Sequence, residues 1–121
     1  MSTMRVVAPS PVTILRWMAR ALSLLGLLVW GAFLAEHVSQ WFVASGPWPP
    51  PAVILLSLAH LALVVGFALA WRWELAGGVL ILGAGLVFFA GAAGRYFPQL
   101  FVPTAIPALL FLYCWWRTRG S

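Results

Sequence analysis

The chain has 121 residues, of which 64% are hydrophobic and 7% are charged, and its mean hydropathy is +1.01. Soluble domains carry about 25% charged residues, so this composition excludes an ordinary soluble domain. The formal net charge is +5, and all seven cationic side chains are arginines. They stand singly at the ends of apolar blocks, which indicates membrane anchoring and argues against nucleic acid as a partner.

Four apolar blocks are predicted to be transmembrane helices within a single domain, residues 1–121. Each block is close to the ~20 residues needed to cross a ~30 Å hydrocarbon core. The first block follows arginines, as a signal peptide does, but it is too long for one, and we interpret it as a retained helix. The predicted spans are residues 14–42, 51–71, 75–94 and 97–116. We therefore predict an all-α integral membrane four-helix bundle.

The positions of the arginines predict the orientation. With the N-terminus inside, Arg95 is the only arginine outside and the other six are cytoplasmic, so both termini are expected in the cytoplasm. Residues at the block ends are expected to anchor the helices at the membrane interface: Arg16, Arg20, Trp41, Trp71, Arg72, Glu74, Trp115 and Trp116. Glu74 begins the third span, where it complements the helix dipole and can pair with one of the arginines in this set.

Small residues recur every seven positions along the third span. A stripe of this kind forms a flat seam where another helix can approach closely. The seam is expected to face the second or fourth span, or another chain. Its members are Gly77, Gly78, Ala84, Gly85, Gly91 and Ala92.

Three ionisable residues, Glu36, His37 and His60, are predicted to lie inside the membrane. An ionisable group at that depth is energetically expensive and is a functional-site hypothesis by default. We take Arg20 and Pro51 as the two edges of a ~30 Å hydrocarbon core. Counting along the helices then places Glu36 about 24 Å above Arg20 and His60 about 13 Å below Pro51, so their backbones differ by about 7 Å in height. Because their side chains lean toward each other, we expect Glu36 and His60 to face the bundle interior and to approach within hydrogen-bonding reach, directly or through water. His37 is expected closer to the outer surface.

Three interpretations of this polar group remain open. A structural clamp would hydrogen-bond Glu36 to His60 and set the register of the first two spans. A proton-coupled transport site would use Glu36 as the titrating carboxylate and His60 as a relay. Trp30 and Phe33, on the same face as His37, would then contact an aromatic or cationic ligand. A cofactor site would use His60 or His37 as the axial ligand of a haem or a pigment.

A short sequence motif at the turn between the second and third spans is similar to one found in a family of membrane proteins. It reads Trp-x-Trp-Glu-x-x-Gly-Gly from Trp71. Together with Glu36, His37 and His60, it resembles a pattern in small bacterial membrane proteins of four helices, broadly similar to the DoxX-like group. The resemblance covers roughly residues 28–90. It implies a four-helix fold in a bacterial inner membrane and implies no activity.

From these features we expect a small structural or accessory subunit of a larger membrane protein assembly. The chain has almost no extramembrane mass, many interfacial tryptophans and a small-residue seam, and its partners would be lipid and other membrane subunits. The sequence contains no nucleophile–base pair that would suggest an enzyme. It contains no residue spacing that would predict a metal site. No role is predicted for Cys114. The alternative is a proton-coupled transporter of a small solute that works as a homo-oligomer.

Overall fold

The computed structural model describes the backbone of residues 10–43 and 49–118, and the side chains of residues 10–40 and 49–118. This part of the chain contains four α-helices and no strand. They are α1 (Pro11–Val43), α2 (Pro51–Leu69), α3 (Glu74–Ala92) and α4 (Phe97–Thr118), with a 3₁₀ helix over Gly94–Tyr96 before α4. All four α-helices lie in segments that are long and apolar enough to cross a membrane, so the predicted four-helix membrane fold is confirmed.

The helix ends follow from local chemistry. The N–H of Thr13 donates to Ser10 Oγ at 3.1 Å, and prolines occupy the first positions of α1 and α2, where the missing N–H costs nothing. The second span ends earlier than predicted because residues 70–73 form the turn into α3. The third also ends earlier, and the turn there uses Gly94 at a φ of 58°, which favours glycine.

The four helices form a ring in which each packs against two neighbours. Helix α1 contacts α2 and α4, and α3 contacts the same two helices from the opposite corner. Within the described residues, the backbones of α1 and α3 do not approach each other, nor do those of α2 and α4. One end of the bundle carries Arg16, Arg20, Arg72 and Arg117, and we call it the arginine end. The other, which carries Pro51 and Arg95, is called the far end.

The core of the bundle lies mainly among α2, α3 and α4. Its largest fully buried side chains include Leu63, Phe67, Ile81, Phe89 and Phe111. Helix α1 contributes little to it, since Ala19 and Ser23 are the only buried side chains among its described residues. With 33 residues α1 is about 50 Å long, more than a ~30 Å hydrocarbon core, so it tilts or extends beyond the membrane.

Polar bonds attach α1 to the rest of the bundle, and three of them come from residues that are evenly spaced along the helix. At the arginine end, Arg16 forms an ion pair with Glu74 of α3. Further along, Ser23 Oγ donates to the carbonyl of Phe67 at 2.6 Å, and His60 Nε2 donates to the carbonyl of Trp30 at 2.8 Å. The three α1 residues are seven positions apart, so they lie along one line of the helix.

The small-residue seam of α3 is used within the chain. A Cβ on Gly77 would collide with the backbone of Ala70 at the end of α2, and one on Gly78 would lie 2.8 Å from Leu112 Cγ of α4. Ala84 and Gly85 are also buried, whereas Gly91 and Ala92 are exposed. Gly77 and Gly78 therefore let α2 and α4 approach α3 closely. Gly91 has the same role at the far end although it is exposed, since a Cβ there would lie 2.5 Å from Leu56 Cδ2 of α2.

Gly77→Ala should destabilise the bundle because the added methyl must displace the Ala70 backbone. Overpacking of this kind costs about 1–3 kcal/mol. Gly83→Ala is the matched control, since a Cβ at Gly83 meets nothing within 4 Å and alanine is the better helix former. Thermal unfolding in detergent should show a lower melting temperature for Gly77→Ala and an unchanged or higher one for Gly83→Ala. Equal melting temperatures would contradict the close contact.

Candidate functional site

A partly open cavity of about 500 Å³ lies between α1, α2 and α3 toward the far end. It gathers all three of the predicted intramembrane ionisable residues. Its polar lining is Glu36, His37, Gln40, Ser57 and His60. Its apolar lining is Trp30, Phe33, Val53, Leu56, Phe88 and Ala92.

Helical periodicity explains why these side chains meet. On α1 the lining residues follow at steps of three or four from Trp30 to Gln40, with His37 beside Glu36. On α2 the same steps separate Val53, Ser57 and His60. Residues spaced in this way lie on one face of a helix. The cavity is therefore bounded by one face from each of three helices.

His60 is buried and holds α1 against α2. Its Nε2 lies 2.8 Å from the carbonyl oxygen of Trp30, which can only accept, so Nε2 carries the proton. A neutral ring then keeps its lone pair on Nδ1. The ring centroid lies 4.4 Å from that of Phe88, and the Trp30 ring meets the imidazole edge-on. His60 is thus fixed by one hydrogen bond and by aromatic rings from α1 and α3.

Glu36 and His60 do not form a direct hydrogen bond, so the direct form of the predicted contact is wrong. Glu36 is exposed, and its Oε1 accepts instead from Gln40 Nε2 at 3.2 Å, within α1. The reason is height. His60 meets α1 at Trp30, which lies six residues, or about 9 Å, before Glu36 along the helix. The opposed lean of the two side chains does not close that gap, although both line the same cavity.

His37 lines the cavity from an exposed position next to Glu36. The axial-ligand hypothesis stays a prediction: with Nε2 bonded to the carbonyl of Trp30, His60 could ligate only through Nδ1. Among the described residues, no three His, Cys, Asp or Glu side chains are grouped as a metal site would need. Cys114 is buried in α4, with its Sγ 3.7 Å from the carbonyl oxygen of Val12.

A second polar site occupies the arginine end. Arg16 donates from Nε and Nη2 to the two carboxylate oxygens of Glu74, at 2.6 and 2.9 Å. Its Nη2 also donates to Thr118 Oγ1 at 3.3 Å. Of the partners considered for Glu74, the structure selects Arg16. This bidentate pair spans the ring diagonally and joins the ends of α1, α3 and α4.

The remaining predicted anchors surround this pair. Arg20 Nη2 donates to the carbonyl of Trp71 at 3.2 Å, and the guanidinium carbon lies 4.8 Å from the centroid of the Trp17 ring. Arg72, Trp71 and Trp116 are exposed and Trp115 is half-buried. The side chain of Trp41 lies outside the described residues.

Several residues of both sites were not singled out from the sequence. Gln40 and Phe88 line the cavity, Ser23 bonds α1 to α2, and Trp17 stacks beside Arg20. The sequence could have identified Gln40, since it follows Glu36 by four positions and so lies on the same face of the helix. Phe88 had none, because an aromatic residue within an apolar span is as often turned toward lipid as toward the bundle interior.

The chain belongs to the family described as a domain of unknown function, DUF7670, whose model matches residues 8–121. Comparisons with curated proteins and with solved structures found no match. The family description assigns no activity, so the function has to be argued from the geometry of the two sites.

His60→Leu should lower the stability of the bundle, whereas Glu36→Gln should not. The first change removes the hydrogen bond between α1 and α2, which is worth about 1 kcal/mol inside a membrane. The second keeps an acceptor for Gln40 at an exposed position. Melting temperatures of the two variants in the same detergent test this. A larger drop in melting temperature for Glu36→Gln than for His60→Leu would contradict this expectation and would indicate that Glu36 bonds a buried partner.

Proposed function

We propose that the protein is a small accessory subunit that joins a larger membrane protein assembly through the far-end half of α1. In this role the chain supplies a compact bundle, and one partly packed helix makes the contact. Lipid and the transmembrane segments of the larger protein would be its partners. The arginine asymmetry supports an orientation with both termini in the cytoplasm of a bacterial cell, in the inner membrane.

The exposed carboxylate of Glu36 carries this proposal. Exposed apolar side chains on α1 can contact lipid, so their exposure is not evidence for a protein partner. An exposed carboxylate about 24 Å along the helix from Arg20 is different, because ionisable groups at membrane depth almost always face a protein interior or a water-filled cavity. Gln40 is exposed on the same face and is its hydrogen-bond partner. A second protein packed here would cover both groups.

The chemistry of this face defines the partner. Glu36 accepts a hydrogen bond from the neutral amide of Gln40, whereas Glu74 forms an ion pair with Arg16. A transmembrane helix with an arginine, lysine or amide side chain in the same leaflet would complement it. Phe33, which is 59% exposed, adds an adjacent aromatic contact.

A second candidate function is binding of a small organic cation, as a transporter would require. The observation that favours it is the composition of the cavity, in which the carboxylate of Glu36 faces the same space as the rings of Trp30, Phe33 and Phe88. Aromatic faces attract cations, and a nearby carboxylate adds charge complementarity. A volume of about 500 Å³ lies within the usual range for small-molecule sites.

A photo-crosslinking amino acid at position 33 should capture a transmembrane segment of another membrane protein. The matched control is position 87 on α3, since Phe33 and Val87 are 59% and 58% exposed and each lies about 20 Å along its helix from the arginine end. Position 87 should yield lipid adducts only. The protein adduct at position 33 should weaken when Glu36→Leu is added. Mass spectrometry of the products identifies the captured segment.

Two outcomes would contradict the accessory role. One is capture of a second copy of this chain at position 33, which would favour the homo-oligomeric transporter. The other is an identical adduct pattern at positions 33 and 87, which would mean that the far-end half of α1 faces only lipid.

Tetraphenylphosphonium should bind the full chain in detergent if the second candidate is correct. Glu36→Gln removes the only carboxylate that lines the cavity and should weaken binding about tenfold, equivalent to ~1.4 kcal/mol. Ser39→Ala is the control, because Ser39 lies on the same helix turn but donates to the carbonyl of Glu36 and does not line the cavity. Isothermal titration calorimetry measures all three proteins. Equal affinities for wild type and Glu36→Gln would exclude the cavity as a cation site.

A further inference from the structure

The arginine end contains a pocket that the proposed function does not use. It has a volume of about 520 Å³ and is lined by Arg20, Trp71, Arg72 and Trp73. We call it the arginine–tryptophan pocket. It overlaps a depression of about the same volume, 520 Å³, that extends to Glu74, Leu75 and Trp115. We propose that this pocket binds the phosphate of an anionic phospholipid.

The first argument is uncompensated positive charge. Glu36 and Glu74 are the only acidic residues in the sequence, and Glu36 lies toward the far end. Both oxygens of Glu74 accept from Arg16, so Glu74 neutralises that arginine. Among the described residues, Arg20 and Arg72 therefore have no carboxylate partner. Two cations beside one pocket repel each other, and an anion between them removes that repulsion.

The second argument is an unsatisfied donor. Arg20 Nε is buried and has no hydrogen-bond partner in the described part of the chain, although its Nη2 donates to the carbonyl of Trp71. A buried unpaired donor is costly, more so on a charged group. A guanidinium presents its donors as a planar fork that matches the oxygens of a phosphate. Because Nε is buried, a phosphate in the pocket would bond it only after the Arg20 side chain turned toward the pocket.

The third argument is the apolar border of the pocket, which favours a lipid over a free phosphate ion. Trp17, Trp73 and Leu75 are 56%, 57% and 41% exposed beside the arginines. Tryptophan rings prefer the depth of the headgroups, where one edge is wet and the other faces acyl chains. A phosphate with attached acyl chains would contact both the arginines and this border, whereas inorganic phosphate would contact only the arginines.

Native mass spectrometry of the full chain in detergent tests the proposal with defined probes. We expect dioleoyl-phosphatidylglycerol to bind more tightly than zwitterionic dioleoyl-phosphatidylcholine. A basic residue near an anionic surface contributes about fivefold in affinity, so Arg20→Gln with Arg72→Gln should weaken phosphatidylglycerol binding by about 25-fold. The matched control is Arg95→Gln with Arg117→Gln, which removes the same net charge from exposed arginines outside the pocket and should have little effect.

A single substitution at the exposed residue Arg72 separates loss of lipid binding from misfolding. Arg72→Gln alone should keep the wild-type melting temperature and weaken phosphatidylglycerol binding about fivefold. The proposal fails if Arg72→Gln binds the lipid as wild type does, or if the control pair weakens binding as much as the pocket pair. Displacement of phosphatidylglycerol by excess inorganic phosphate or glycerol phosphate would also overturn it, since the site would then recognise a free anion.

Discussion

The close approach of α2 and α3 at the arginine end is the contact on which the rest of the bundle depends. Gly77 lies directly against Ala70, and a side chain at either Gly77 or Gly66 would push the two helices apart. The resulting hairpin offers α4 a flat surface through Gly78. Helix α1 then joins this three-helix platform through hydrogen bonds and an ion pair more than through buried apolar area. The fold is thus tightly packed on one side and loosely packed on the other.

Loose packing of α1 is also the physical origin of the far-end cavity. Between its contacts at Ser23 and Trp30, α1 stays close to α2, but beyond Trp30 it gains no further buried side chain among the described residues. Space therefore opens around Glu36, and polar groups remain accessible there. Both proposed functions, docking of a partner helix and binding of an organic cation, use this space around Glu36. The arginine end differs because its polar groups are largely hydrogen-bonded within the bundle, and its unpaired groups include, among the described residues, Arg20 Nε and the exposed Arg72.

Much of this architecture could be predicted from the sequence, because the membrane demands apolar runs of ~20 residues and an internally bonded backbone. Counting residues along antiparallel helices was also enough to bring Glu36, His37 and His60 to one cavity. The same counting could not identify the partner of His60. A backbone carbonyl is present at every residue and leaves no sequence signal, so the acceptor at Trp30 became visible only once the relative height of α1 and α2 was known. The partner of Glu74 was ambiguous for a similar reason, since several arginines were within reach.

The seven-residue spacing of Arg16, Ser23 and Trp30 has a consequence for how this chain can vary in length. Inserting one residue between two of these positions would turn the rest of α1 by about 100° and move it by about 1.5 Å. Every attachment beyond the insertion would then point away from α2 or α3. Inserting seven residues would turn the helix by only about 20°, but it would still move the later attachments by about 10.5 Å along the axis, away from their partners on α2 and α3. Related chains should therefore accept insertions and deletions in α1 only before Arg16 or after Trp30.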